Sequence, residues 1–142
     1  MAFDDPEAPS YYKRVVDKAA CEEDIHIITQ RNDLLVNIFQ RISDVVLQKS
    51  LREGFGLTLS EAMWKGTPVV GTDVGGISLQ VKNGETGYLV DTKKECADSI
   101  VKLLKDDGLR KKIGENAREH VKENFLITRH LNDYLGLLEK YI

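Results

Sequence analysis

Apolar residues recur along this chain with two different periods. Tyr12, Val15, Val16 and Ala19 fall at helical spacing behind Asp5-Pro6 and Pro9-Ser10, which predicts a first helix over residues 9–21. Ile25 to Thr29 is mostly β-branched and reads as a strand. Leu35, Ile38, Phe39 and Ile42 then form the expected inward stripe of a second helix. Strand, helix and strand repeat through Val45–Leu47, Leu57–Lys65 and Val69–Gly71, and a last strand is expected at Tyr88–Val90, after the turn Asn83-Gly84. The remainder is helical. One stripe runs through Ala97, Ile100, Val101 and Leu104, and a second through Leu109, Ile113, Ala117 and Val121. A third runs through Leu131, Tyr134, Leu135, Leu138 and Ile142. Gly108 is the expected break between the first two of these helices, and Asn124-Phe125 with Thr128 the next. Such alternation predicts an α/β fold: four mainly parallel strands flanked by helices, with a helical C-terminal tail.

Composition narrows the function classes. The 142 residues suffice for one domain with its own core, and 42% hydrophobic with 30% charged residues is ordinary for a globular protein. A net charge of −3 leaves no broad basic field for nucleic acid or an anionic membrane. No apolar run reaches a membrane span, and the opening, with Asp4, Asp5 and Glu7, reads as an acidic terminal loop and not as a signal peptide. Cys21 and Cys96 have no metal-ligand spacing, so two reduced thiols in a cytoplasmic protein are expected. His26, His120 and His130 have no partner at triad or metal spacing, and no metal or other cofactor is expected.

The candidate chemistry is concentrated in Glu53-Gly54-Phe55-Gly56-Leu57-Thr58-Leu59-Ser60-Glu61. A strand, a glycine loop and a helix N-terminus in that order make a seat for phosphate. Glycine lets the backbone approach, and the first-turn N–H groups lack intrahelical partners and sit at the positive end of the helix dipole. Glu53 lies ahead of the helix and Glu61 one turn inside it, on the face of Leu57. Carboxylates repel phosphate, so both suit neutral hydroxyls. A diphosphate with a polyol at each end, a nucleotide sugar, fits the pattern. The competing readings are a solvated helix glutamate for Glu61 and a helix-dipole partner for Glu53.

The run Glu-Gly-Phe-Gly-Leu-Thr-x-x-Glu-Ala-Met-x-x-Gly-x-Pro-Val-Val resembles the donor half of retaining GT-B glycosyltransferases, with their Glu-x-seven-Glu motif. The likeness continues through Val74-Gly75-Gly76-Ile77 and Asn83-Gly84-Glu85-Thr86-Gly87-Tyr88-Leu89-Val90, and covers the chain from about Ile25 onward. Within that family, Asn37 to Gln48, Ser50-Leu51-Arg52-Glu53 and the opening Met1 to Glu7 resemble the trehalose glycosyltransferring synthases.

The resemblance implies a partial Rossmann-like GT-B C-terminal domain over residues 1–142, transferring glucose from ADP- or UDP-glucose to a sugar acceptor and forming trehalose. It assigns Glu53 to the donor sugar and reacting carbon, and Glu61 to the ribose hydroxyls. Gly54, Phe55, Gly56, Leu57 and Thr58 form the diphosphate loop, and Thr29, Gln30 and Arg31 meet the base, Thr29 standing where the family commonly has glycine. Gly71, Gly75 and Gly76 are expected to shape a turn above the sugar, with plain turn geometry as the rival. The family's first two donor-domain strands, its Arg-Leu-x-x-x-Lys-Gly diphosphate segment and its acceptor domain have no counterpart here. Losing two strands opens a gap of roughly 9–10 Å in the sheet. Either Ile25–Thr29 would then shift beside Val45–Leu47, or a second copy would cover the exposed edge or the last helix as a homodimer. The isolated chain is expected to be inactive, with a separate acceptor domain as partner. The alternative is a non-catalytic nucleotide- or sugar-binding module, or a truncated relic. The second rival, a Rossmann dehydrogenase piece, is disfavoured, since no Gly-x-Gly-x-x-Gly is followed by an acidic residue about 20 positions on.

Overall fold

The computed structural model describes residues 8–141, with side chains from residue 10. The acidic opening, Met1 to Glu7, and Ile142 lie outside the described residues. The chain forms two units, residues 1–33 and 34–142. In the first, α1 (Ala8–Ala19) matches the expected helix but ends two residues sooner. Its Val16 and Ala19 are covered while Tyr11, Tyr12 and Val15 are exposed.

The expected strand at Ile25–Thr29 does not form. The segment has no regular structure, and Ile25, Ile27 and Ile28 are exposed. Its β-branched composition marks fitness for a pleated, half-buried surface and is not sufficient without a ladder partner. The sheet of the described residues therefore has three strands, not four, and the shift of Ile25–Thr29 beside Val45–Leu47 is not adopted.

The second unit is built on that sheet: β1 (Val46–Gln48), β2 (Val69–Thr72) and β3 (Tyr88–Val90), in the order β1-β2-β3 and parallel throughout. Gln48 is opposite Gly71, and Thr72 opposite Val90, so the carboxyl ends of all three strands meet along one rim. Helix α2 (Asp33–Ile42) precedes β1, α3 (Leu57–Trp64) joins β1 to β2, and α4 (Gly76–Gln80) lies between β2 and β3. The tail is α5 (Lys93–Lys105), α6 (Asp107–Asn124) and α7 (Ile127–Leu138).

Central β2 is buried along its whole length, and its alternating side chains serve two cores. Val69 packs with Leu59, Ala62 and Met63 of α3, Ile77, Val81, and Ala117 and Val121 of α6. Val70 packs with Val90, Cys96, Leu103 and Ile113. At about 1.5–3 kcal/mol per fully buried aliphatic side chain, the first cluster is the main force that fixes α3 against the sheet, and the second fixes α5 and α6 on it. Cys21 and Cys96 are both free thiols.

Two helical stripes and one helix boundary need correction. Residues Ile38, Phe39 and Ile42 of α2, expected to face inward, are exposed, Ile42 by 69%, while the one buried side chain is the polar Gln40. In α5 the buried line is Cys96 and Leu103, one position off the expected stripe; Val101 and Leu104 face solvent. The α5–α6 break falls at Asp106, which caps α6 by accepting from the Leu109 N–H at 2.9 Å. Gly108 lies inside α6, because a side-chain acceptor at the N-cap starts a helix more effectively than a glycine two residues later. The α6 stripe holds, with Ile113, Ala117 and Val121 buried. Helix α7 has its expected apolar row but buries none of it.

Candidate functional site

Helix α3 begins at Leu57, as the motif requires. Leu59, Ser60, Ala62 and Met63 are buried, whereas Leu57, Thr58 and Glu61 make up its outward face. Gly56 occupies the N-cap at φ 88°, a backbone setting that disfavours other residues, and no side chain caps the first turn. The Leu59 and Ser60 N–H groups turn back to the Gly56 carbonyl, at 3.0 and 3.3 Å.

The loop ahead of the helix is held from three directions. The Glu53 carboxylate accepts from Gln48 Nε2, from Ser50 Oγ at 3.3 Å and from the Gly54 N–H at 3.1 Å. From below, fully buried Gln80 donates to the Phe55 carbonyl and accepts from Ser60 Oγ at 2.8 Å. From the side, the Gly76 N–H donates to the Gly54 carbonyl at 3.0 Å. Gly75 and Gly76 lie in the turn after β2, against this loop. Gly71 is not part of that turn: it lies within β2, between the side chains of Ile77 and Leu59.

Phe55 meets Phe125 edge to face at 6.0 Å, and Phe125 meets His120 at 5.5 Å. Burial holds the His120 imidazole below its ordinary range, with Lys82 adding to the effect and the Gln80 carbonyl, Glu123 and Glu85 opposing it. Its Nε2 makes no bond of good geometry among the described residues.

At the other flank, Glu61 Oε2 accepts from Gln40 Nε2 at 2.9 Å. Lys65 Nζ donates to Gln40 Oε1 at 2.7 Å, and Thr67 Oγ1 fixes the Gln40 carbonyl at 2.6 Å. On the rim of strand ends, Gln48 Oε1 and Thr72 Oγ1 are buried with no partner among the described residues. Unpaired buried acceptors and hydroxyls at the carboxyl ends of parallel strands stand where ligands meet open α/β sheets. Among the described residues no group of three or more His, Cys, Asp or Glu could hold a metal ion, and no helix is long and apolar enough to cross a membrane.

Residues 53–58 and 61 are therefore brought together around one helix N-terminus. Thr29, Gln30 and Arg31 belong to the other unit, as exposed chain without helix or strand. Gln40, Gln48, Ser50 and Gln80 were not anticipated. Each is an uncharged polar residue whose partner is distant in sequence or set by a loop.

Residues 3–120 match the family model for glycosyl transferases group 1. The chain belongs to that family. It is 46% identical to the trehalose synthase of Thermococcus litoralis over 144 residues, covering 99% of this chain and 35% of that protein. It spans about a third of that relative's length. Sucrose-phosphate synthase of Thermosynechococcus elongatus is similar in structure, with a TM-score of 0.79 and 26% identity over 96% of this chain and 36% of that one. The C-terminal domain of a glycosyl transferase group 1 protein of Francisella tularensis gives a TM-score of 0.68 and 29% identity, over 89% of this chain and 66% of that domain. Its three-stranded parallel sheet, flanked by helices, is a GT-B-like Rossmann subdomain.

Proposed function

We propose that this chain is the donor-binding part of a retaining glycosyltransferase that moves glucose from ADP- or UDP-glucose to a sugar acceptor, forming trehalose. The observation that carries the reading is the uncapped start of α3, flanked by Glu53 in its loop and Glu61 on its outward face. The diphosphate sits against the N–H groups of Leu57 and Thr58, where the dipole favours departing negative charge. Glu53, held by Gln48 and Ser50, supports positive charge developing at the reacting carbon. Glu61 accepts from the ribose hydroxyls. Likeness to the trehalose synthase supports glucose as the transferred unit.

Alone, the 142 residues bind donor without transferring it, because they carry no Arg-Leu-x-x-x-Lys-Gly segment to share the diphosphate charge. Transfer needs a separate acceptor domain. Self-association through the outer edge of β1 or the apolar row of α7 is the second partner we propose. Mixing the chain with ADP-glucose or UDP-glucose, with and without glucose, tests the function. Broadening of a donor's anomeric NMR signal without trehalose is the expected result. Trehalose made by the chain alone would overturn the inactivity, and sharp signals with both donors would remove the donor reading.

A further inference from the structure

Glu61 on α3 and Lys65 at its C-cap stand four apart, with the acid on the N-terminal side, the arrangement in which such side chains usually pair directly. They do not pair here. The Lys65 ammonium goes to Gln40 Oε1 at 2.7 Å and to the Glu61 backbone carbonyl at 3.3 Å, and Gln40 Nε2 completes the bridge to the Glu61 carboxylate. An ammonium only donates and a carboxylate only accepts, so the two neighbours fix which way the Gln40 amide points. Its second amide hydrogen is directed at the Thr58 carbonyl, 3.4 Å away. The side chain is buried, at 5% exposure, and its own backbone carbonyl is anchored by Thr67. Glu61 itself remains exposed, with no donor on Oε1 among the described residues.

We propose that Gln40 is a positioning residue that keeps Lys65 off the Glu61 carboxylate, leaving that carboxylate oriented and open to a vicinal diol. A direct Lys65 ion pair would occupy the same oxygens and neutralise the charge that polarises the hydroxyls. The neutral amide removes the lysine while taking only one oxygen. This rests on the reading of Glu61 as the ribose acceptor.

The test is titration of the native chain, Gln40→Leu and Gln40→Leu/Lys65→Met with ADP and UDP and with their 2′,3′-dideoxy forms. The native chain should prefer the ribose form. Gln40→Leu should cut that preference roughly five- to tenfold while leaving dideoxy affinity unchanged within about twofold, and the double variant should recover much of the loss. A preference undiminished in Gln40→Leu, or a loss not recovered on removing the lysine, overturns the inference and leaves the donor reading standing. A native chain that binds both forms equally removes Glu61 as the ribose acceptor, and the inference with it. If Gln40→Leu does not fold, the Gln40 side-chain resonances decide instead. Without ligand, the Gln40 side-chain amide resonances should move in both Glu61→Gln and Lys65→Met, and resonances fixed in both variants overturn the bridge.

Discussion

A side-chain carbon on Gly75 would lie 1.9 Å from the Glu53 carbonyl oxygen. The turn after β2 and the loop before α3 therefore share a surface that only a glycine permits, and Gly75 also sits at φ 52°. Gly75→Ala meets both obstacles, a backbone clash and a left-handed conformation. It should lose roughly 2–5 kcal/mol in chemical denaturation, and the displaced Glu53 loop should weaken donor binding. An unchanged unfolding midpoint would show that the two loops are not packed as described.

Gln80 stabilises the same loop from beneath. Gln80→Leu leaves the Phe55 carbonyl and the Ser60 hydroxyl facing an apolar group. A loss of about 1–3 kcal/mol is expected, with faster amide exchange at residues 54–57. Exchange rates unaltered there would detach Gln80 from the loop.

The pH dependence of stability should have a contribution from His120. Its folded pKa lies below the ordinary value of 6.5, so the unfolded chain takes up the proton more readily. Stability from this group is complete above about pH 6.5 and is lost as pH falls through the folded value. His120→Phe keeps an edge-to-face contact with Phe125 and should flatten the native chain's decline in melting temperature on that acid side only. Parallel curves for the two proteins would clear His120 of the role.

Much of this fold is legible in the sequence wherever a local pattern and its burial agree. The glycine loop, the start of α3 at Leu57, the three strands and the α6 stripe are cases of that kind, because β2 and α6 have neighbours on the faces their patterns mark. Ile25–Thr29 and the α2 stripe mislead for the converse reason: composition states what a segment could bury, not whether a partner is there to bury it. The supporting glutamines were invisible on other grounds. Gln40 sits between Phe39 and Arg41 like any surface amide, and only the fold brings it to Glu61.

The uncovered row on α7, Leu131, Tyr134, Leu135 and Leu138, with Ile127 77% exposed, should drive self-association if a second copy covers it. Sedimentation velocity should then give twice the monomer mass, and Leu135→Glu should return the monomer. A dimer that survives Leu135→Glu points to the β1 edge. A monomer at all concentrations contradicts both surfaces.

The central claim is a donor seat at the start of α3 with Glu61 on the ribose. Calorimetric titration of the native chain with ADP-glucose and UDP-glucose, beside Glu61→Ala, addresses it most directly. The account predicts saturable binding of at least one donor, weakened roughly tenfold or more in a folded Glu61→Ala. Equal heats from native chain and variant, or none from either donor, would contradict it.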